Sequence, residues 1–305
     1  TAISLPPETS PNHWNLLGLD IDSYHIDIRD EVSLRRTIME IQPKMVFHLA
    51  AQPLVRRSYR QPLETWATNV MGTANVLDAC RQVDGLAAIV VVTTDKCYEN
   101  KEWVWGYREI DPLGGHDPYS ASKAGSELVP ASFRHSFFNA NSSPLLASAR
   151  AGNVIGGGDW SKDRLIPDIA KALSANKQVV IRNPKAVRPW QHVIEPLFGY
   201  LELGIKLNND PKDSSQVYNF GPNPSDVLSV EEMVIKSIEN WGSGSYQPLV
   251  DANSPHEAGL LKLDISKVLN ELNWKPVFNA STAVERTINW YKCYYNGISA
   301  NELMK

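Results

Sequence analysis

An α/β architecture, with a doubly wound parallel sheet and a smaller mixed domain beside it, is indicated by three features of this chain. Apolar runs alternate with amphipathic stretches through the first half. That alternation gives a parallel sheet covered by helices on both faces. The run Ile89-Val90-Val91-Val92 is apolar and β-branched, as in a strand buried on both sides. It leads straight into Thr93-Thr94-Asp95-Lys96-Cys97-Tyr98, and open α/β sheets place their ligands at such strand ends.

The elements follow in order. Strands are expected at 45–49, 89–92 and 145–155. Helices are expected at 64–83, where Ala67, Val70, Met71, Ala74, Leu77 and Cys80 recur at spacings of three and four, and at 119–138. Pro130 falls inside the second helix, where a missing N–H and a ring clash predict a kink. After Gly158 the texture changes. A helix at 165–173, a short strand at 179–181, a helix through 201–207 and a strand at 217–220 are expected. Ser229 and Glu232 form a capping box that opens a helix ending near Trp241 and Gly242. A last helix after Asn279 carries Trp290, Tyr291 and Tyr294. The domains are therefore drawn at 1–158 and 159–305, with some chain of the second crossing back to the sheet.

A dinucleotide-binding sheet ordinarily opens with a strand, a glycine-rich loop and a helix. No such pattern precedes Asp27, and residues 1–5 read as the tail of a second strand. The expectation is a sequence that starts one βα unit into its fold, with a gap in the sheet.

Composition sets limits on function. Of 305 residues, 43% are hydrophobic and 21% charged, an ordinary globular balance. The net charge of -4 and the lack of a basic block argue against nucleic acid. Cys80, Cys97 and Cys293 are odd in number and widely spaced, which speaks for reduced thiols, a cytoplasmic setting and no disulfide or metal framework. No membrane segment is visible.

The chemistry centres on Tyr119 and Lys123, which are i, i+4 on one helical face. An ammonium beside a phenol is expected to lower its pKa toward neutrality, making it a general base for an alcohol. Alcohol oxidation also needs a hydride acceptor. Ala121 and Ala124 leave room for a flat ring. Thr94 is read as a donor to the substrate hydroxyl. Asp95 and Lys96 place an acid beside a base, as loss of water demands and simple dehydrogenation does not.

Other residues carry two readings. His48 reads as a satisfied strand-end histidine. Asp27 accepts from an adenine amine or starts a helix. Asn69 holds backbone near the site or is an ordinary polar helix residue. Ala50 and Ala51 permit close backbone approach to a cofactor. Asn153, Arg164 and Arg188, with Trp190 beside the last, suit a sugar diphosphate.

These segments, together with those at 69–73, 102–109, 114–119, 150–160 and 188–193, resemble the extended short-chain dehydrogenase/reductase family, and within it the CDP-glucose 4,6-dehydratases. The resemblance runs from Asp27 nearly to the C-terminus. Lys96 stands where related dehydratases for other nucleotides carry a glutamate, and the Asp-Lys pair is typical of the CDP-glucose group. What the resemblance implies is a Rossmann-type domain holding NAD and a cytoplasmic homodimer or homotetramer acting on CDP-glucose in deoxysugar and O-antigen precursor biosynthesis. Tyr119 would take the 4-hydroxyl proton, Lys96 the C5 proton, and Asp95 would protonate the departing C6 hydroxyl. Cofactor contacts would come from Asp27, Ile28, Leu49, Ala50, Ala51, Asn69, Thr93, Tyr119 and Lys123. Substrate contacts would come from Gln52, Asn153, Trp160, Arg164, Arg188, Trp190 and Glu257. A nucleotide-sugar epimerase would use Tyr119 and NAD without needing the Asp95–Lys96 pair. A non-catalytic dinucleotide sensor would have no use for Thr94, Tyr119 and Lys123 together.

Overall fold

In the computed structural model, residues 1–138, 144–209, 216–249 and 258–304 are described. The centre is a four-stranded parallel sheet in the order Val217–Phe220, Leu145–Ala151, Ala88–Thr94, Met45–His48. Ala2–Ser4 and Ser23–His25 pair in parallel as a separate two-stranded sheet.

Alternate side chains of the central strands face opposite ways. Ile89, Val91 and Leu146 face a core completed by Leu34 and Ile38 of the Glu31–Ile41 helix and by Val76 and Leu77 of the Gly72–Cys80 helix. Ile3 and Ile26 pack against that same core, so the two sheets share one apolar layer. Ala88, Val90, Ala147 and Ala149 face the other way, under Tyr200, Leu203 and Leu207 of the Ile194–Asn209 helix. Small alanines on this face let the helix lie close.

The strand expected at 145–155 is two strands. Asn153–Ile155 pairs with Trp190–His192 instead of continuing in the sheet. The break is at Gly152, where a Cβ would lie 2.7 Å from Pro189. Its effect is to swing Asn153 out toward the second half of the chain. The helix expected at 64–83 is likewise divided, into Pro62–Trp66, a π-turn at Ala67–Met71, and Gly72–Cys80. Pro130 is accommodated within a helix running Pro118–Ser136.

The second half packs helices Leu165–Ser174, Val230–Trp241 and Ala280–Tyr295 around Ile169, Leu173, Val179, Ile181, Met233, Val234, Ile288 and Tyr291. Ser229 and Glu232 form the capping box, and Gly242 closes the helix at φ 95°. Leu16 and Leu17, from the His13–Leu17 helix, pack on this core too. Val217–Phe220 returns to the central sheet.

Candidate active site

The carboxyl ends of the central strands open into a cleft of about 710 Å³. Ala88–Thr94 delivers Thr93 and Thr94 to its wall, and a short 3₁₀ turn, Asp95–Cys97, follows at once. The Pro118–Ser136 helix starts beside it. Asp117 caps this helix by accepting from the backbone N–H of Tyr119 and Ser120, both at 3.0 Å, and from the Ser120 hydroxyl. Gly115 crosses its first turn so closely that a Cβ would fall on the backbone of Ser120 and Ala121. The first turn is therefore fixed from two sides. Asp117→Ala is expected to destabilise the protein by about 1 kcal/mol. Urea denaturation would measure it, with an unchanged midpoint counting against the cap.

Tyr119 and Lys123 both line the cleft. The Thr94 hydroxyl contacts the phenol, whose pKa stands above the usual tyrosine value. Burial is the main cause; Arg164 is the cation opposing it, and Asp95 adds to the rise. This corrects the expectation that Lys123 draws the phenol toward neutrality. Desolvation of a phenolate outweighs the neighbouring positive charge. Lys123 is itself lowered to about 8, first by burial, with Glu127 opposing. No protein hydrogen bond reaches its Nζ among the described residues.

Lys96 lines the cleft as well. Its Nζ donates to Asp95 Oδ1 and to Asn153 Oδ1, each at 3.0 Å. Asp95 is fully buried behind it. Asp95 Oδ1 also accepts from the Thr94 hydroxyl at 2.9 Å, and Oδ2 has no partner. The structure thus puts Lys96, not Asp95, at the cleft surface. The cleft lining also includes Arg164, Arg188 and Trp190. Arg164 pairs with Asp159 at 3.4 Å. Arg188 donates to the carbonyls of Val187, Ala258 and Gly259, and Trp190 Nε1 to Leu228 O.

Several expected contacts lie elsewhere. Gln52 is buried, its amide spent on Thr65 and the Leu54 N–H. Asn69 clamps the Gln52 backbone from both sides and donates to Ser122, matching the first of its two readings. Trp160 is in the second core. Ile28 and Ala50 pack into the first core. Asp27 holds Arg29 in a bidentate pair. His48 is buried against the Thr73 hydroxyl at 3.0 Å and lowered to about 3 by burial and by Lys123. Leu49 and Ala51 line the cleft, and Glu257 lies outside the described residues. The cleft also takes His13, Arg56, Arg182 and Asn183, none of them singled out above. Arg182, paired with Asp163 at 3.4 Å, follows an ordinary strand, and no local pattern marks it.

A tyrosine–lysine pair on a helix, set against strand-end threonines of a doubly wound sheet, defines an extended short-chain dehydrogenase/reductase. Residues 12–287 match the family model described as GDP-mannose 4,6 dehydratase, and the chain belongs to that family. It is 50% identical over 300 residues to a CDP-glucose 4,6-dehydratase of Salmonella typhimurium, covering 96% of this chain and 84% of that one. The dTDP-glucose 4,6-dehydratase DesIV of Streptomyces venezuelae, solved with NAD bound, superposes with a TM-score of 0.81 at 25% identity, over 96% of this chain and 88% of that one. The UDP-glucose 4-epimerase of Thermotoga maritima shares the fold, with a TM-score of 0.76 at 20% identity over 89% and 84% of the two chains.

Proposed function

We propose that this chain is a CDP-glucose 4,6-dehydratase, a hydro-lyase that uses NAD and turns CDP-D-glucose into CDP-4-keto-6-deoxy-D-glucose and water. The observation that carries the reading is one cleft wall bearing both an oxidation set (Thr94, Tyr119, Lys123) and an elimination pair (Lys96 backed by Asp95). The 50% identity to the Salmonella enzyme supports the nucleotide. NAD fits the donors present. The unengaged Lys123 ammonium suits ribose hydroxyls, and Leu49 and Ala51 offer a close backbone edge. When bound, NAD supplies the acceptance and return of hydride.

The protein groups do the proton work. Tyr119, as phenolate, takes the proton of the 4-hydroxyl, and Thr94 orients that hydroxyl. A 4-ketone acidifies the C5 proton, which Lys96 removes in its neutral form. The C6 hydroxyl leaves as water with the proton that Lys96 has passed to Asp95 along their 3.0 Å hydrogen bond, delivered through the Thr94 hydroxyl on Asp95 Oδ1. The proton taken up by Tyr119 returns to the pair through Thr94 at the end of the cycle. Lys96 returns a proton to C5 as hydride arrives at C6. Arg164, Arg188 and Trp190 hold the diphosphate and its nucleoside.

We further infer a cytoplasmic homodimer. No described helix is long and apolar enough to cross a membrane. Leu63, Met71 and Leu128 stand exposed on neighbouring helices (83%, 58% and 61%), an apolar face suited to a second copy.

The test supplies the protein and NAD with CDP-, dTDP-, UDP- and GDP-glucose and follows the alkaline absorbance of a 4-keto-6-deoxy sugar. CDP-glucose should be consumed at least about tenfold faster, which is about 1.4 kcal/mol of discrimination. A product that keeps its C6 oxygen would overturn the reading in favour of epimerisation.

A further inference from the structure

Tyr119, Lys123 and Glu127 follow one another at four-residue spacing along a single ridge of the Pro118–Ser136 helix. The third member is Glu127. It is 2% exposed and points away from the cleft into a buried polar layer. Its Oε1 accepts from the Thr93 hydroxyl, and its Oε2 from Arg150 Nη2 at 2.9 Å. Arg150 is 3% exposed. Its Nη1 donates to the Tyr98 hydroxyl at 2.8 Å and to Glu109 O at 3.2 Å, while Nε has no partner. Tyr98 in turn donates to Asn219 Oδ1 at 2.7 Å.

This layer is unusual for what it places behind a catalytic lysine. Lys123 and Arg150 are two buried cations; Glu127 is paired with Arg150 and stands one helical turn from Lys123, whose charged form it favours. The other groups facing Lys123 do not replace it. On its own helix stands Tyr119. The Met45–His48 strand contributes His48, which stays neutral. The turn after Ala88–Thr94 contributes Cys97, which burial keeps as a thiol, and Asp95, which is engaged by Lys96. Arg56 and Arg164 are further cations lining the cleft. Among the described residues, then, the charge of Lys123 leans on one carboxylate. In a poorly hydrated layer, removing that carboxylate leaves the Lys123 ammonium without the acidic neighbour that favours it.

We propose that Glu127, clamped between Arg150 and Thr93, is a positioning residue that keeps Lys123 an ammonium and so keeps Tyr119 serviceable as a base. Thr93 and Thr94 are consecutive, so the same clamp ties the strand end that touches the phenol to the helix that carries it. The inference rests on the dehydratase reading for its catalytic meaning, but not for its measurement.

Lysine labelled with ¹³C at Cε reports the charge of Lys123 directly, with the signal assigned by its loss in Lys123→Met. The unsubstituted protein should show a midpoint near 8. In Glu127→Gln the midpoint should fall by about one pH unit or more, a tenfold drop in ammonium at alkaline pH. In Arg150→Met, which frees Glu127 of its ion-pair partner, it should rise. A structural role alone would weaken the fold and leave the midpoint in place, so a Glu127→Gln midpoint within about 0.3 of the parent overturns the proposal. If neither variant folds, Glu127→Asp decides. It keeps the ion pair but draws the carboxylate back, and its midpoint must fall; an unmoved one overturns the proposal equally. Assay of 4-keto sugar by the unsubstituted protein runs in parallel. Its failure would sink the dehydratase reading while leaving the Lys123 titration to decide this one.

Discussion

Tyr119→Phe is expected to lower kcat by about 10³-fold, within the usual worth of a positioned general base. The substitution removes one oxygen from a side chain that is 6% exposed, so packing is retained. KM for CDP-glucose should stay near the parent value, because the substitution leaves in place Arg164 and Arg188, the arginines proposed to hold the diphosphate. A kcat within tenfold of the parent would show that another group removes the 4-hydroxyl proton.

The electrostatics add a sign to this prediction. Burial holds the phenol above the ordinary tyrosine value, so the fraction available as phenolate rises with pH. Lys123 is depressed to about 8 and is needed as an ammonium, so that contribution is lost as pH rises through this value. Activity should therefore climb toward pH 8 and decline beyond it. Arg164 is the cation that most opposes the phenol's rise, so its proposed place in substrate binding also puts it within electrostatic reach of the phenol. Residue type had suggested only the binding role.

What was legible in the residues, and what was not, divides along physical lines. The buried strands were legible because a β-branched run such as Ile89 to Val92 has few other stable homes. Tyr119 and Lys123 were legible because helical spacing fixes their common face. Contacts that depend on where a chain turns were not. Gln52 and Asn69 are amides beside the cleft, and sequence cannot say whether an amide faces a ligand or clamps its neighbour's backbone. Trp160 sits among glycines and polar residues, as a cleft-lining ring would, yet the chain folds it into the core beside Trp290, Tyr291 and Tyr294. Glu127 and Arg150 are 23 residues apart, each at a position where a surface charge is the usual occupant. Only the packing of the helix across two strands makes them a buried pair. The division of the 64–83 helix is not legible because a π-turn leaves the three-and-four spacing of its apolar residues almost intact.

Lys96→Ala separates the two halves of the reaction. Oxidation at C4 draws on Tyr119, Thr94 and Lys123, and Lys96 contributes no atom to that set. Elimination needs a group that touches the substrate and moves a proton at C5, and Lys96 is the member of its pair that lines the cleft. The expected result is a loss of 4-keto-6-deoxy product by about 10²–10⁴-fold, with CDP-glucose still bound. Exchange of the C5 proton with solvent deuterium should vanish together with the product. The position of Asp95 sharpens the expectation. Its carboxylate is wholly buried, and one oxygen is already without a partner. Losing the Lys96 ammonium leaves Oδ1 with the Thr94 hydroxyl as its remaining hydrogen-bond donor, an uncompensated buried charge of the kind that costs about 3–5 kcal/mol when its partner is removed. Lys96 is itself a quarter exposed, so solvent reaching the gap discounts that figure for this pair. Lys96→Arg distinguishes the chemical role from the structural one. It restores a cation for Asp95 but cannot act as a base at neutral pH. Stability should therefore return in Lys96→Arg while elimination stays lost. Turnover restored along with stability would mean that Lys96 serves only to neutralise Asp95, and that the C5 proton leaves by another group.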